Sequence, residues 1–284
     1  MPERNYYYLV AGLPDITVDE KKLPLSLTDL KEELQIHLHP SDYKLVQDLF
    51  LVFDNQNLLQ LIDKKDFRFN ELSNFPLQQL EEELKEPVSL PEYMQKYIQS
   101  LNEDELNEDS KLSPENRLTA LYFEEMTNHH NDFLKEWFVF IRDINNILAI
   151  YNSRKFGLEI STQMVGRYEL TENALKNTSR EFGLASELPY INTLISISET
   201  EDILKQEMSV DRLKWDYLEE LNVFHYFTIE KILAFVIKLM MLDRWSKLES
   251  EQGRAFFNEL LTDLKQSFQL PKEFRLHEKR RQTH

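Results

Sequence analysis

The chain has no cysteine. Disulfide frameworks, thiolate zinc sites, iron–sulfur clusters and cysteine nucleophiles are thereby excluded. Glycine is nearly as scarce: there are 5 in 284 residues, at Gly12, Gly157, Gly166, Gly183 and Gly253, against an average usage of roughly 7%. The closest two lie nine positions apart. A P-loop or a dinucleotide-binding fingerprint needs glycines a few positions apart, so that the backbone can approach a phosphate. Neither is present, and no G-x-S-x-G nucleophile elbow occurs. Positive charge is also in short supply. Lys plus Arg total 33 and Asp plus Glu total 50, a formal net charge of -17. A field of that sign opposes phosphate backbones and anionic lipid surfaces, so nucleic acid is not expected as a partner. Long apolar runs are missing too. The most apolar stretch, Ile232–Leu242, is interrupted by Lys238 and falls short of the ~20 residues a spanning helix needs. The opening MPERNYYYLV does not read as a signal peptide. No direct membrane insertion is expected, and the expected location is the cytoplasm.

What remains is apolar sequence at the helical period. Hydrophobic residues make up 42% and charged residues 29%, a globular balance. Leu27–Leu38 follows the caps Ser26 or Thr28, and Ser41 with Asp42 can cap the next segment, where Tyr43, Val46, Leu49, Phe50 and Phe53 recur at helical spacing. Pro76 and Glu81–Glu83 suggest another helix, ended by Pro87. Glu92–Leu101 is a short amphipathic stretch. Ser113 followed by Pro114 is the best local start signal in the chain, with no Gly or Pro until Gly157. Within that span Trp137, Ile141, Ile144, Leu148 and Tyr151 step by four and three. One continuous helix here would be about 65 Å long at ~1.5 Å per residue, which favours an elongated molecule. Further on, Thr171 with Glu172 can begin a short helix and Gly183 can end one. Residues 191–198, INTLISIS, alternate like a strand but have no obvious pairing partner, and read as helical or irregular. Asp211–Val223, Thr228–Leu248 and Phe256–Phe268 complete the helices, the last closed by Pro271. The expected organisation is a first helical lobe over 1–101, an acidic linker over 102–112, two further lobes with a long connecting helix over 113–271, and a basic flexible tail over 272–284.

Candidate chemistry is sparse. Glu125, His129 and Asp132 fall at i, i+4 and i+7 of the expected long helix, a spacing that could place three metal ligands on one side. An ordinary polar helix face explains them better. His37 and His39 lie at a helix end, where a histidine complements the dipole. Glu81–Glu83 read as a solvated face rather than an acid/base cluster. Trp137, Phe138 and Phe140, and Phe224, Tyr226 and Phe227, read as core packing rather than a ligand pocket. No catalytic residue and no cofactor are expected.

A weak internal repeat stands out. Asp54-Asn55-Gln56-Asn57-Leu58-Leu59 resembles Asp143-Ile144-Asn145-Asn146-Ile147-Leu148, and Asp243-Arg244-Trp245-Ser246 keeps the Asp while placing Ser where Asn stood. Asp and Asn three apart share one helical face. They suit either a solvated polar edge or a repeated packing contact that satisfies buried polar groups.

The start YYYLVAGLP, these D-x-x-N-aliphatic elements and FTIEKILAFVIKLMMLDRWSKL near the end resemble an uncharacterised bacterial family. That family is in turn similar to the C-type coupling component of V-type and A-type rotary ATPases, the counterpart of the d-type component in the eukaryotic vacuolar enzymes. The resemblance implies an all-α, three-lobed helical funnel with pseudo-threefold internal repeats. It implies a non-catalytic coupling subunit, present as a monomer within its complex and peripheral on the inner face of the cell membrane. Its partners would be the central-stalk subunits and the membrane proteolipid ring. An acidic funnel could hold a basic stalk tip through complementary potentials. Two alternatives belong to other classes: a helical metal-dependent hydrolase using the Glu125/His129/Asp132 face, and a generic helical scaffold.

Overall fold

The computed structural model describes residues 4–20, 23–63, 68–102 and 112–267, with side chains described through residue 248. Among these residues the protein is all-helical, with no strand. The expected linker and basic tail, and the closure at Pro271, lie almost wholly outside the described residues.

The helices run in order as α1 (Tyr7–Gly12), α2 (Leu27–His37), α3 (Pro40–Asp63), α4 (Leu77–Glu83), α5 (Glu92–Asn102), α6 (Pro114–Met126), α7 (Asp132–Phe156), α8 (Glu169–Lys176), α9 (Ile191–Ser198), α10 (Ile203–Leu221) and α11 (Ile229–Ser267). A 3-10 turn at Ile160–Thr162 lies between α7 and α8. Local chemistry sets several of the starts. Ser26 accepts from the Asp29 N–H, Ser113 from that of Asn116 and Asp202 from that of Lys205, each satisfying an orphan donor of a first helical turn. The α7 helix ends at Gly157, whose φ of 67° places it in the left-handed region that a residue without Cβ adopts at no steric cost. The last carbonyls of α8 are met from a distance: Arg154 Nη2 donates to the Ala174 and Asn177 carbonyls at 2.6 and 2.8 Å.

Besides an α10 that starts at Ile203 rather than Asp211 and an α8 that ends at Lys176, so that Gly183 closes no helix, two boundaries differ from the expectation. The span from Ser113 to Gly157 is two helices, broken over Thr127–Asn131. No Gly or Pro is involved. Thr127 Oγ1 donates back to the Phe123 carbonyl and Asn128 Nδ2 to that of Glu124, while Asn131 accepts from the Leu134 N–H and caps the new helix. Polar side chains here offer the backbone alternatives to the helical ladder. The second difference runs the other way. Thr228–Leu248 and Phe256–Phe268 are parts of one helix, the 39-residue α11, about 58 Å long at ~1.5 Å per residue. The 191–198 segment is helical: Ile191, Leu194, Ile195 and Ser198 are buried, a spacing of three, one and three that only a helix brings to one face.

Except for Trp215 and Leu242, the buried apolar side chains among the described residues form one connected cluster that runs from Leu9 to Leu239 and includes residues on both sides of the 102–112 segment. In it α7 packs against α6, α8, α9 and α10, while α3 packs against α2, α4, α6 and α11. Of the apolar stripe on α7, Trp137 and Ile144 are buried, and Ile141, Leu148 and Tyr151 pack half-buried against the cluster. The Ile232–Leu242 stretch is buried through its middle, including Lys238, whose ammonium meets Glu219 and lies 4.9 Å from the Trp215 ring centre.

Candidate functional site

The repeated motif sits at the centre of both α3 and α7, and its polar side chains are buried. Asn57 and Asn146 are fully excluded from solvent. Asn57 Nδ2 donates to the Asn70 carbonyl at 3.0 Å, and its Oδ1 accepts from the Asn70 N–H at 2.8 Å. Asn146 treats Val165 the same way: Nδ2 donates to the carbonyl at 2.8 Å and Oδ1 accepts from the N–H at 2.7 Å. Each amide thus takes both backbone groups of one residue in the segment returning from its helix. One turn earlier, each carboxylate holds the same segment closer to the next helix. Asp54 accepts from the Asn74 and Phe75 N–H groups and from Asn74 Nδ2, at 2.8 to 2.9 Å. Asp143 accepts from the Tyr168 hydroxyl at 2.6 Å and from Arg142 Nη2 at 3.0 Å. The segments so held lead directly into α4 and α8.

The surroundings of the two carboxylates differ. Burial pushes the Asp54 carboxyl up to about 6, against the opposing pull of its hydrogen bonds and the nearby Lys31. Burial likewise pushes Lys31 down to about 8; its ammonium donates to the Leu72 and Ser73 carbonyls at 2.6 and 2.9 Å. Asp143 has a cation in direct contact, Arg142, whose guanidinium lies 3.7 Å from the Tyr168 ring centre. Asp243 does a different job. It pairs with Lys247 one turn along α11 at 2.6 Å, at the half-buried edge of that helix. Its neighbours Arg244 and Trp245 reach instead to Asp211 on α10, which also takes Lys214. Sequence reasoning missed Asp211. The signal available was an acidic residue flanked by Val210 and Leu213 on an otherwise amphipathic helix.

The metal reading depends on an unbroken helix, and the break at Thr127–Asn131 removes that spacing. Glu125 sits in the last turn of α6, where its carboxylate accepts from the Tyr93 N–H at 3.2 Å. His129 lies in the interhelical turn with Nε2 3.2 Å from Asp48 Oδ2, and Asp132 opens α7. Among the described residues no group of three or more His, Asp or Glu is placed to hold a metal ion.

Two further expectations are corrected. Glu83 is not part of a solvated face. It is buried and accepts from the Val88 and Ser89 N–H groups and the Ser89 hydroxyl, closing the turn after α4. Phe224, Tyr226 and Phe227 are not core residues; they are 85%, 67% and 39% exposed. The turn that carries them meets the chain's tyrosine-rich start. The Tyr6 N–H donates to the Phe227 carbonyl at 2.6 Å, and the Tyr7 and Phe227 rings are 4.7 Å apart. Tyr7 and Tyr8 are themselves 60% and 82% exposed, and Val223 is exposed beside Phe224. Tyr6 is tied down from below, its hydroxyl donating to Asp42, and burial together with that carboxylate pushes its pKa up to about 12. The result is an aromatic patch on an anchored frame. Exposed aromatic surface is a recurrent feature of interaction sites.

These features define an all-helical protein whose buried polar groups brace its own loops and which exposes aromatics where its start meets the turn before α11. The chain belongs to the family described as "Protein of unknown function (DUF2764)", whose model matches residues 3–268. No curated protein and no solved structure matches it.

Proposed function

We propose that the protein is a non-catalytic coupling subunit of a V-type or A-type rotary ATPase, joining the central stalk to the membrane proteolipid ring. The observation that carries this reading is the anchored aromatic patch of Tyr7, Tyr8, Phe224 and Tyr226. A coupling subunit has to bind on at least two sides, and this patch offers apolar area that needs a protein to cover it. Tyrosine and phenylalanine suit the ring side, close to the level of the lipid headgroups. The net charge of -17 disfavours the anionic lipid itself as the occupant, and suits a basic stalk tip elsewhere on the surface. Stiffness is supported by α11 and by the single connected core. Among the described residues no helix is long and apolar enough to cross a membrane, as a peripheral subunit requires.

The test is recovery of the tagged protein from native membranes, with its partners identified. Stalk and proteolipid subunits are expected with the wild type, and at least tenfold less proteolipid with a Tyr8→Ser/Phe224→Ser variant. Both side chains are exposed, so the fold is expected to tolerate the change. Recovery without any rotary-ATPase subunit would overturn the reading.

A further inference from the structure

Among the described residues of this acidic chain, one cleft has the opposite character. It has a volume of about 590 Å³ and lies between α5, α6, α7 and the segment before α8. Lys96, Arg117, Arg142 and Arg167 line it, with Glu124 the single carboxylate in its wall among the described residues. Three other clefts on the described surface have no such excess. One carries Lys44 against Asp48 and Glu125, one Arg212 against Asp19, Glu20, Asp211 and Asp216, and one Lys231 and Lys238 against Asp15 and Glu219. Four cations around one cavity, in a molecule with 33 basic and 50 acidic residues, is a local concentration of positive groups.

The cations are also held in position. Arg117 Nη2 donates to the Ser100 hydroxyl at 2.9 Å, and that hydroxyl donates onward to the Tyr97 carbonyl. Arg142 uses Nε and Nη2 on Asp143 and lies flat over the Tyr168 ring. Lys96 pairs with Glu92 at the exposed rim. Asp143, Glu92 and Glu125 temper the positive charge from outside the wall, and none of the three lines the cavity. Guanidinium groups fixed by their neighbours lose little freedom when an anion arrives, and their planar forks match phosphate oxygens in pairs. The cavity volume falls in the range of small-molecule sites.

We propose that this cleft binds a small ligand bearing two or more phosphates, held by Lys96, Arg117, Arg142 and Arg167. The site is independent of the rotary-ATPase reading and stands or falls by its own measurement. The probe is inorganic pyrophosphate, titrated calorimetrically into the full-length protein at low ionic strength. Saturable binding is expected for the wild type. Lys96→Gln/Arg117→Gln should weaken it by at least tenfold and Lys96→Gln alone by about threefold, because each cation contributes a charge-assisted contact. Lys96 is exposed, so the single variant reports on binding even if the double variant folds poorly. A Lys231→Gln control, which removes a cation from a different cleft, should bind as the wild type does. No binding of pyrophosphate by the wild type, equal affinity in the wild type and Lys96→Gln, or an equal response to sulfate at matched ionic strength would each overturn the proposal.

Discussion

The α3 and α7 grips have the same grammar in different surroundings. In both, an asparagine in mid-helix takes the N–H and carbonyl of one residue in the returning chain, and an aspartate one turn earlier takes groups further along it. Around α7 the gripped residue, Val165, is buried, and the aspartate has an arginine in contact. Around α3 the gripped residue, Asn70, is only half-buried, and Asp54 sits fully buried with backbone and amide donors while the nearby cation, Lys31, is bonded to other groups. The lesson is that one motif can be worth different amounts. Its contribution depends on whether water can replace the bonds it makes, and on whether its charge is neutralised.

That comparison predicts unequal losses from equal mutations. Asn146→Ala orphans two backbone groups at a buried residue and should cost about 4 kcal/mol of unfolding free energy. Asn57→Ala orphans the equivalent groups at Asn70, where solvent can partly replace the amide, and should cost about 2 kcal/mol. Chemical denaturation of the two variants in parallel measures the difference. Equal losses would mean that Asn70 is as dry as Val165 in solution.

The carboxylates separate in a second way. The Asp54 carboxyl is raised to about 6 in the folded protein from an ordinary 3.8. Between those values the native state holds a proton that the unfolded chain releases, so this group's contribution is present at low pH and is lost as pH rises to about 6 and above. The full swing is about 3 kcal/mol at most. Lys31, the charged group facing it, titrates near 8 and lies outside this window. Asp54→Asn removes the titration, so the stability difference between wild type and variant should shift in the variant's favour from pH 4 to pH 7. A difference that stays flat over that range would show that hydrogen bonds to Asn74 and Phe75 keep the carboxylate ionised in the fold.

How far the sequence could be read follows from which signals are local. Ser26, Ser113 and Gly157 act through their own neighbours, and the helix ends they set were legible. The break after Met126 was also local, but its signal is a run of small polar bonds from Thr127, Asn128 and Asn131 rather than a Gly or Pro. Conversely, Gly253 looks like a breaker and lies inside α11, where helical context overrides a propensity cost of about 1 kcal/mol. The repeat was visible as letters. What the letters do was not, because the partners of Asn57 and Asn146 lie 13 and 19 residues away in segments without any pattern. The aromatic patch was illegible for a stronger reason: Phe224 and Tyr226 have core composition, and nothing in their neighbourhood of the sequence marks them as exposed.

The third copy of the motif gives the sharpest boundary to the comparison, because there the Asp is kept, Ser246 replaces the Asn, and the Asp does a different job. Asp243 faces Lys247 on its own helix at a half-buried edge, and Lys247 is 60% exposed. Such i,i+4 pairs contribute a few tenths of a kcal/mol. Asp243→Ala is therefore expected to lose about 0.3 kcal/mol, roughly a tenth of the loss from Asn146→Ala, and to lose less still in high salt. The bracing at this end of the molecule belongs to Asp211, which is buried and takes Arg244, Trp245 and Lys214. A loss above ~2 kcal/mol from Asp243→Ala, measured by the same denaturation, would mean that Asp243 grips a segment as Asp54 and Asp143 do, and that the aspartate's role is repeated three times even where the Asn is not.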